Sequence, residues 1–133
     1  MAEPDVVVCT APLTPRTRRM IGASELDLLK PDAVFVNVSR GAIVDPDALI
    51  ERASRGDIRV CIDVFDPEPI PAGSPIRDLP NVFLSPHIAG VTAACRPRFF
   101  SFMVDELERF FGGQETMFDL TPRTLANRRG LQV

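Results

Sequence analysis

Residues 33–64 read AVFVNVSRGAIVDPDALIERASRGDIRVCIDV. The stretch opens and closes on short runs of Val, Ile and Phe, at 33–38 and 59–64. Both runs are continuously apolar rather than alternating, the pattern of strands covered on both faces in a parallel sheet. Between them, 45–55 carries helix signals. Asp45 suits an N-cap, Pro46 the first turn and Gly56 the end. Leu49, Ile50 and Ala53 give the helix an apolar stripe. Strand, helix, strand within 32 residues is one turn of an α/β fold.

The same grammar extends outward. DVVVCT at 5–10 and VFLS at 82–85 are two further strand runs, and a short helix is expected over 24–29, ahead of Lys30-Pro31. Residues 65–81 hold Pro67, Pro69, Pro71, Pro75 and Pro80. They predict a stiff loop with one helical turn, long enough for a parallel crossover, which needs about a dozen residues. The longest helix signal runs over 92–111. Phe99, Met103, Leu107 and Phe110 form one stripe, and Phe100, Val104 and Phe111 the next. That face is wider than a surface helix requires. Gly112-Gly113 ends it. The expected organisation is one α/β unit over 1–112 and a polar tail of little structure over 113–133.

A chain of 133 residues, 45% hydrophobic and 25% charged, has the composition of a single soluble globular domain. Its net charge of -3 gives it no bulk attraction for nucleic acid or an anionic membrane. No apolar run approaches the ~18 residues of a membrane span. The acidic stretch at 1–5 does not read as a signal peptide, and none is expected. Cys9, Cys61 and Cys95 are odd in number and far apart, so neither a disulfide framework nor a metal site is expected. Free thiols, two of them in apolar runs, suit a reducing cytoplasm.

Ligands of open parallel sheets bind beyond the carboxyl ends of the strands. The first run ends in Thr10-Ala11-Pro12 and the second in Ser39-Arg40-Gly41. The third has Asp63 near its end, followed by Asp66-Pro67-Glu68. The fourth ends in Ser85-Pro86-His87. Taken singly, Arg40 and Glu68 read as solvated charges and His87 as a structural histidine. Taken together, a guanidinium, a carboxylate and the only imidazole of the chain meet at one sheet edge. An imidazole passes protons to and from an alcohol or carbonyl oxygen, and a carboxylate beside it stabilises the imidazolium. A guanidinium clamps a carboxylate at two points. This equipment suits the interconversion of a 2-oxo acid and a 2-hydroxy acid. No side chain carries hydride, so a nicotinamide cofactor is required.

The segments DVVVCTAPLTPRTRRMI, LLKPDAVFVNVSRGAIVDPDALIERASRGDI, CIDVFDPEP and LPNVFLSPHIAG resemble the D-isomer-specific 2-hydroxyacid dehydrogenase family. The resemblance implies a Rossmann-type fold, of which this chain is the second half of a doubly wound parallel sheet with a long C-terminal helix. It implies catalytic roles for Arg40 on substrate, Glu68 as partner of the histidine and His87 as acid/base. It further implies NAD or NADP contacts at Ala11, Pro12, Thr17, Val38, Ser39, Arg40 and Asp63, with Asp63 near the nicotinamide amide.

The chain departs from the family pattern in one decisive respect. No two of its glycines are separated by a single residue, so it contains no G-x-G-x-x-G turn to cradle a pyrophosphate. The expectation is half a domain, lacking the Gly-rich first half and the substrate domain. Its inner strand edge and its wide helix face then favour a homodimer or a complementing N-terminal half. Two functions are open: the catalytic, nicotinamide-side half of a dehydrogenase, or a non-catalytic interaction module or truncated relic that keeps the fold without turnover.

Overall fold

A computed structural model describes residues 1–119 and 121–129. Four parallel strands, β1 (Val6–Cys9), β2 (Val34–Asn37), β3 (Arg59–Ile62) and β4 (Val82–Leu84), lie side by side in chain order. The register aligns Val7, Phe35, Val60 and Val82 in one row, and Cys9, Asn37, Ile62 and Leu84 in another. Successive residues of a strand face opposite ways, so both rows lie on one face. Helices α1 (Ala23–Leu26) and α2 (Pro46–Ser54) contribute Leu26, Leu49 and Ala53 to the core built on it, which includes Phe35, Val60 and Ile62.

The signals read around α2 act as expected. Asp45 Oδ1 accepts from the backbone N–H of Asp47 and Ala48, both at 3.1 Å, and Pro46 occupies the first turn. Gly56, at φ 76°, takes the left-handed conformation that turns the chain into β3. One feature of α2 was not legible. Arg52 is buried, and its Nε and Nη2 donate to Leu26 O (3.2 Å) and Leu29 O (3.0 Å), while Nη1 pairs with Asp57. Carbonyls at the end of a helix have no partner within it. Arg52 gives a second donor to Leu26 O, which also accepts from Leu29 N at 3.1 Å, and a donor to Leu29 O in the turn beyond α1, and so joins α1, α2 and the turn into β3.

Three expectations change. The continuously apolar strands predict cover on both faces, but the second face, bearing Val6, Val8 and Phe83, is largely open. These side chains are 53%, 52% and 65% exposed. Both α1 and α2 pack on the opposite face, and the helix available for the second face, α3 (Cys95–Phe111), buries none of its residues. The helix expected over 24–29 is shorter, ending at Leu26 and continuing in turns. The tail expected to have little structure contains a helix, α4 (Pro122–Arg129), whose first residues are exposed. Local hydrogen bonds, including the Thr121 hydroxyl accepting from Thr124 N at 3.1 Å, start this helix without core packing from its first residues. Residue 120 and residues 130–133 of that tail lie outside the described residues. Cys9 is buried, whereas Cys61, on the open face, is only half-buried.

Replacing Arg52 by methionine takes the side-chain donor from the buried Leu29 carbonyl, removes one of the two donors to Leu26 O, and leaves Asp57 without its partner. Urea denaturation of the full chain should show a loss of about 2–3 kcal/mol. A loss below about 0.5 kcal/mol would mean that Arg52 does not join the helices.

Candidate active site

Because all four strands are parallel, their carboxyl ends share one edge. At the end of β2, Asn37 is almost fully buried and both ends of its amide are used. Nδ2 donates to Arg40 O (3.2 Å), and Oδ1 accepts from Ser39 N (3.1 Å). These two bonds shape the turn that presents Arg40. The Ser39 hydroxyl donates to Ala11 O and ties that turn to the end of β1. Arg40 is exposed. Its Nη1 donates to Ser39 O at 2.7 Å, and it has no carboxylate partner among the described residues. The next residue, Gly41, lies directly against Phe65: a Cβ there would sit 1.9 Å from the Phe65 carbonyl carbon. The Arg40 turn is therefore seated on the start of the segment that carries Glu68.

At the end of β3, Asp63 is buried and carries three hydrogen bonds on its carboxylate. Oδ1 accepts from Ser85 Oγ (2.5 Å) and Ile88 N (2.9 Å), and Oδ2 accepts from Ala89 N (2.9 Å). Its carbonyl also accepts from His87 N at 3.0 Å. Burial pushes the Asp63 carboxyl up. The bonds from Ser85, Ala89 and Ile88, with the charge of His87, outweigh it and hold the group below the usual carboxylate value. With its folded pKa depressed, the ionised clamp favours the fold above the ordinary aspartate range. That contribution is lost as pH falls through the lower folded value. Between the clamped residues, His87 stands at φ 55°, the left-handed region that few non-glycine residues adopt.

His87 Nδ1 lies 3.1 Å from Glu68 Oε2. An ionised carboxylate only accepts, so Nδ1–H is the donor. Both peptide bonds preceding Pro67 and Pro69, on either side of Glu68, are cis. Glu68, His87, Asp63 and Ser85 line a cleft of about 540 Å³ whose walls include Ile62 and Leu84. Of the three residues expected to act together, Glu68 and His87 meet. Arg40 shares the sheet edge with them but does not line that cleft.

The residues expected around a cofactor lie along the same edge. Ala11 packs against the core, and Pro12 and Val38 are exposed beside it. Thr17 Oγ1 donates to Pro12 O (2.7 Å) and accepts from Thr14 N (2.8 Å), so its hydroxyl holds its own loop together. Three residues that shape the site were not singled out from sequence: Asn37, Gly41 and Ser85. A polar residue inside the apolar run AVFVNV was the available signal for Asn37. The contacts of Gly41 and Ser85 are with segments more than twenty positions away, and nothing local announces them. No group of three metal-ligating side chains occurs among the described residues.

Residues 1–89 match the family described as D-isomer specific 2-hydroxyacid dehydrogenase, NAD binding domain. Glyoxylate/hydroxypyruvate reductase B of Pectobacterium atrosepticum is 40% identical over 126 residues, covering 94% of this chain and 39% of the relative. Glyoxylate reductase of Aeropyrum pernix is 37% identical over 134 residues, covering 100% of this chain and 38% of the relative. Among solved structures, a D-isomer specific 2-hydroxyacid dehydrogenase from Xanthobacter autotrophicus in complex with NADPH and MES superposes with a TM-score of 0.79 at 37% identity. That match covers 92% of this chain and 50% of the other. The chain thus spans well under half the length of these two curated relatives. The fold, the order of the strand-end residues and the matches agree: the chain belongs to the D-isomer specific 2-hydroxyacid dehydrogenase family, within its NAD-binding domain.

Proposed function

We propose that this chain supplies the proton-transferring, substrate-orienting part of an NAD(P)-dependent 2-hydroxyacid dehydrogenase. The observation that carries this reading is the Glu68–His87 pair, joined through Nδ1 at 3.1 Å in a cleft at the carboxyl edge of the sheet. With Nδ1 engaged by Glu68, Nε2 is the nitrogen that exchanges a proton with substrate. It gives that proton to the carbonyl oxygen of the 2-oxo acid on reduction and takes it from the hydroxyl on oxidation. Glu68 orients the ring and stabilises the imidazolium. Arg40, free of any carboxylate among the described residues, is placed to clamp the substrate carboxylate with its planar fork. The bound nicotinamide supplies the hydride.

The residues at the sheet edge suit the nicotinamide end of such a cofactor. A carboxylate offers about four acceptor positions. Three of those on Asp63 are filled from within the chain, which leaves one, on Oδ2, for a carboxamide N–H. Ala11, Pro12 and Val38 offer an apolar ledge beside it, with Ser39 and Arg40 at its end. No glycine spacing in the chain can form the pyrophosphate turn, so contacts to that part of the cofactor must come from other residues. The relatives are reductases of glyoxylate and hydroxypyruvate, which favours a small 2-oxo acid as substrate. The free thiols fit a reducing compartment such as the cytoplasm. The second reading, a fold kept for binding alone, is favoured by the open sheet face and the uncovered stripe of α3.

A chimera separates the two. With this chain in place of the matching segment of the Pectobacterium reductase, NAD(P)H-dependent reduction of glyoxylate or hydroxypyruvate should persist. A folded but inert chimera would favour the binding module. Within an active chimera, His87→Ala should lower turnover ~10²–10⁴-fold. Unchanged turnover removes His87 from the chemistry. Arg40→Lys should raise KM and lower kcat/KM by at least about tenfold, because an ammonium cannot reproduce a two-point clamp. Parent-like kinetics would place the substrate carboxylate elsewhere. The open apolar face should make the chain associate, with a second copy or with a complementing N-terminal half. Light scattering that finds only monomer, alone and after mixing with such a half, would count against that.

A further inference from the structure

We propose that Arg77 is a positioning residue for the acid/base pair. Its guanidinium grips the proline-rich segment so that Glu68 is held against Nδ1 of His87. The inference rests on the reading above for the purpose it gives to His87, and on the geometry alone for the grip itself.

Segment 66–73 has few directional contacts. Ile70 packs against the core, and Arg18 Nη1 stands 4.0 Å from Asp66 Oδ2. Pro67, Pro69 and Pro71 offer no N–H. Among the described residues, its only main-chain hydrogen bond comes from Ser74 N to Pro71 O, at 3.0 Å. Yet it carries a carboxylate that must reach a ring nineteen positions away. Attraction between the two side chains cannot do this unaided. Glu68 and His87 are 41% and 46% exposed, and water screens such a pair until it contributes little. The packing of Ile70 on the core is apolar and sets no direction, so a further contact is needed to aim Glu68.

Arg77 supplies that contact. Its Nε donates to Pro71 O at 3.0 Å and its Nη2 to Ile70 O at 2.5 Å, on consecutive carbonyls two and three residues beyond Glu68. The side chain stands on a firm base. It belongs to the short turn Pro75–Asp78, whose Ile76 is fully buried in the core. A guanidinium is planar and presents its donors as a fixed fork, so two bonds from one group restrain direction as well as distance. Arg77 also lines the cleft that holds Glu68 and His87. With two of its nitrogens committed to carbonyls, its role there is to shape the wall of the cleft.

The grip has a signature at the ring. Glu68 can only accept, so neutral His87 must carry its hydrogen on Nδ1 and leave Nε2 bare. Which nitrogen is protonated is set by the bond the other nitrogen or its hydrogen makes. If the segment is released, Glu68 wanders and the ring is free to move its hydrogen to Nε2.

His87 is the only histidine of the chain, so its ring nitrogens are read directly in a long-range proton–nitrogen correlation spectrum of the full chain. The spectrum is taken at about pH 9, above the ordinary histidine range. The parent should show mostly the Nδ1–H form. Glu68→Ala should lower the ratio of Nδ1–H to Nε2–H roughly fivefold, the size expected for loss of one hydrogen bond. Arg77→Ala should bring most of the same fall, and the double variant should fall no further than Glu68→Ala alone. Arg77→Lys keeps the charge and most of the packing but not the fork, and should lie nearer Arg77→Ala than the parent. It serves where the alanine variant folds poorly. A parent-like ratio in the Arg77 variants, beside a fall in Glu68→Ala, overturns the role of Arg77 and leaves the acid/base pair standing. The same holds if Arg77→Ala only lowers the melting temperature. A parent-like ratio in Glu68→Ala removes the pair itself, and the proposed acid/base chemistry with it.

Discussion

The buried carboxylate of Asp63 is the interaction on which the site depends. It accepts from one hydroxyl and two peptide N–H groups, all from the segment that follows β4. An ionised acceptor in a dry place is costly to leave unpaired and strongly binding when paired. That asymmetry ties residues 85–89 to the end of β3. It also allows His87 a left-handed backbone that an unrestrained histidine would rarely hold. The imidazole is placed by the backbone beneath it and oriented by Glu68 from the side. The two restraints come from different parts of the chain and act on different atoms.

The rest of the edge is built by the same device, a polar group spending its hydrogen bonds on backbone. Asn37 does it for the Arg40 turn and Thr17 for the loop after β1. Arg52 does it for the end of α1, Arg77 for the proline-rich segment and Asn81, through Ala53 O and Ile58 O, for the approach to β3. In a sheet of four short strands, much of the chain is connection. Connections lack a ladder of their own, so side chains supply the missing partners.

The elements were legible because they obey local rules. The four apolar runs, the Asp45 cap and the glycine after α2 each act within a few residues. The pairing of Glu68 with His87 was legible for a different reason: parallel strands bring their carboxyl ends to one edge, and the family resemblance names these two as partners on it. What could not be read was long-range and backbone-directed. Nothing around Arg52 distinguishes a buried arginine from a solvated one, since its partners are carbonyls 23 and 26 positions away. The open sheet face was misjudged because continuous apolarity tells that a face is suited to cover, and not where the cover comes from. Arg40 was expected to meet Glu68 and His87 at one sheet edge, but it does not line the cleft those two share. It stands at the adjoining strand end, and strand order alone does not resolve a difference of that size.

The contact of Gly41 with Phe65 couples these two strand ends mechanically. The absence of a single methyl group lets two backbones touch, and that touch leaves no slack between them. A shift of the backbone beneath Arg40 must carry the Phe65 peptide with it, and so the root of the loop bearing Glu68. The two strand ends are therefore joined at their backbones, and the freedom to change the spacing of the two charges lies beyond that joint, in the exposed side chain of Arg40 and in the loop that carries Glu68.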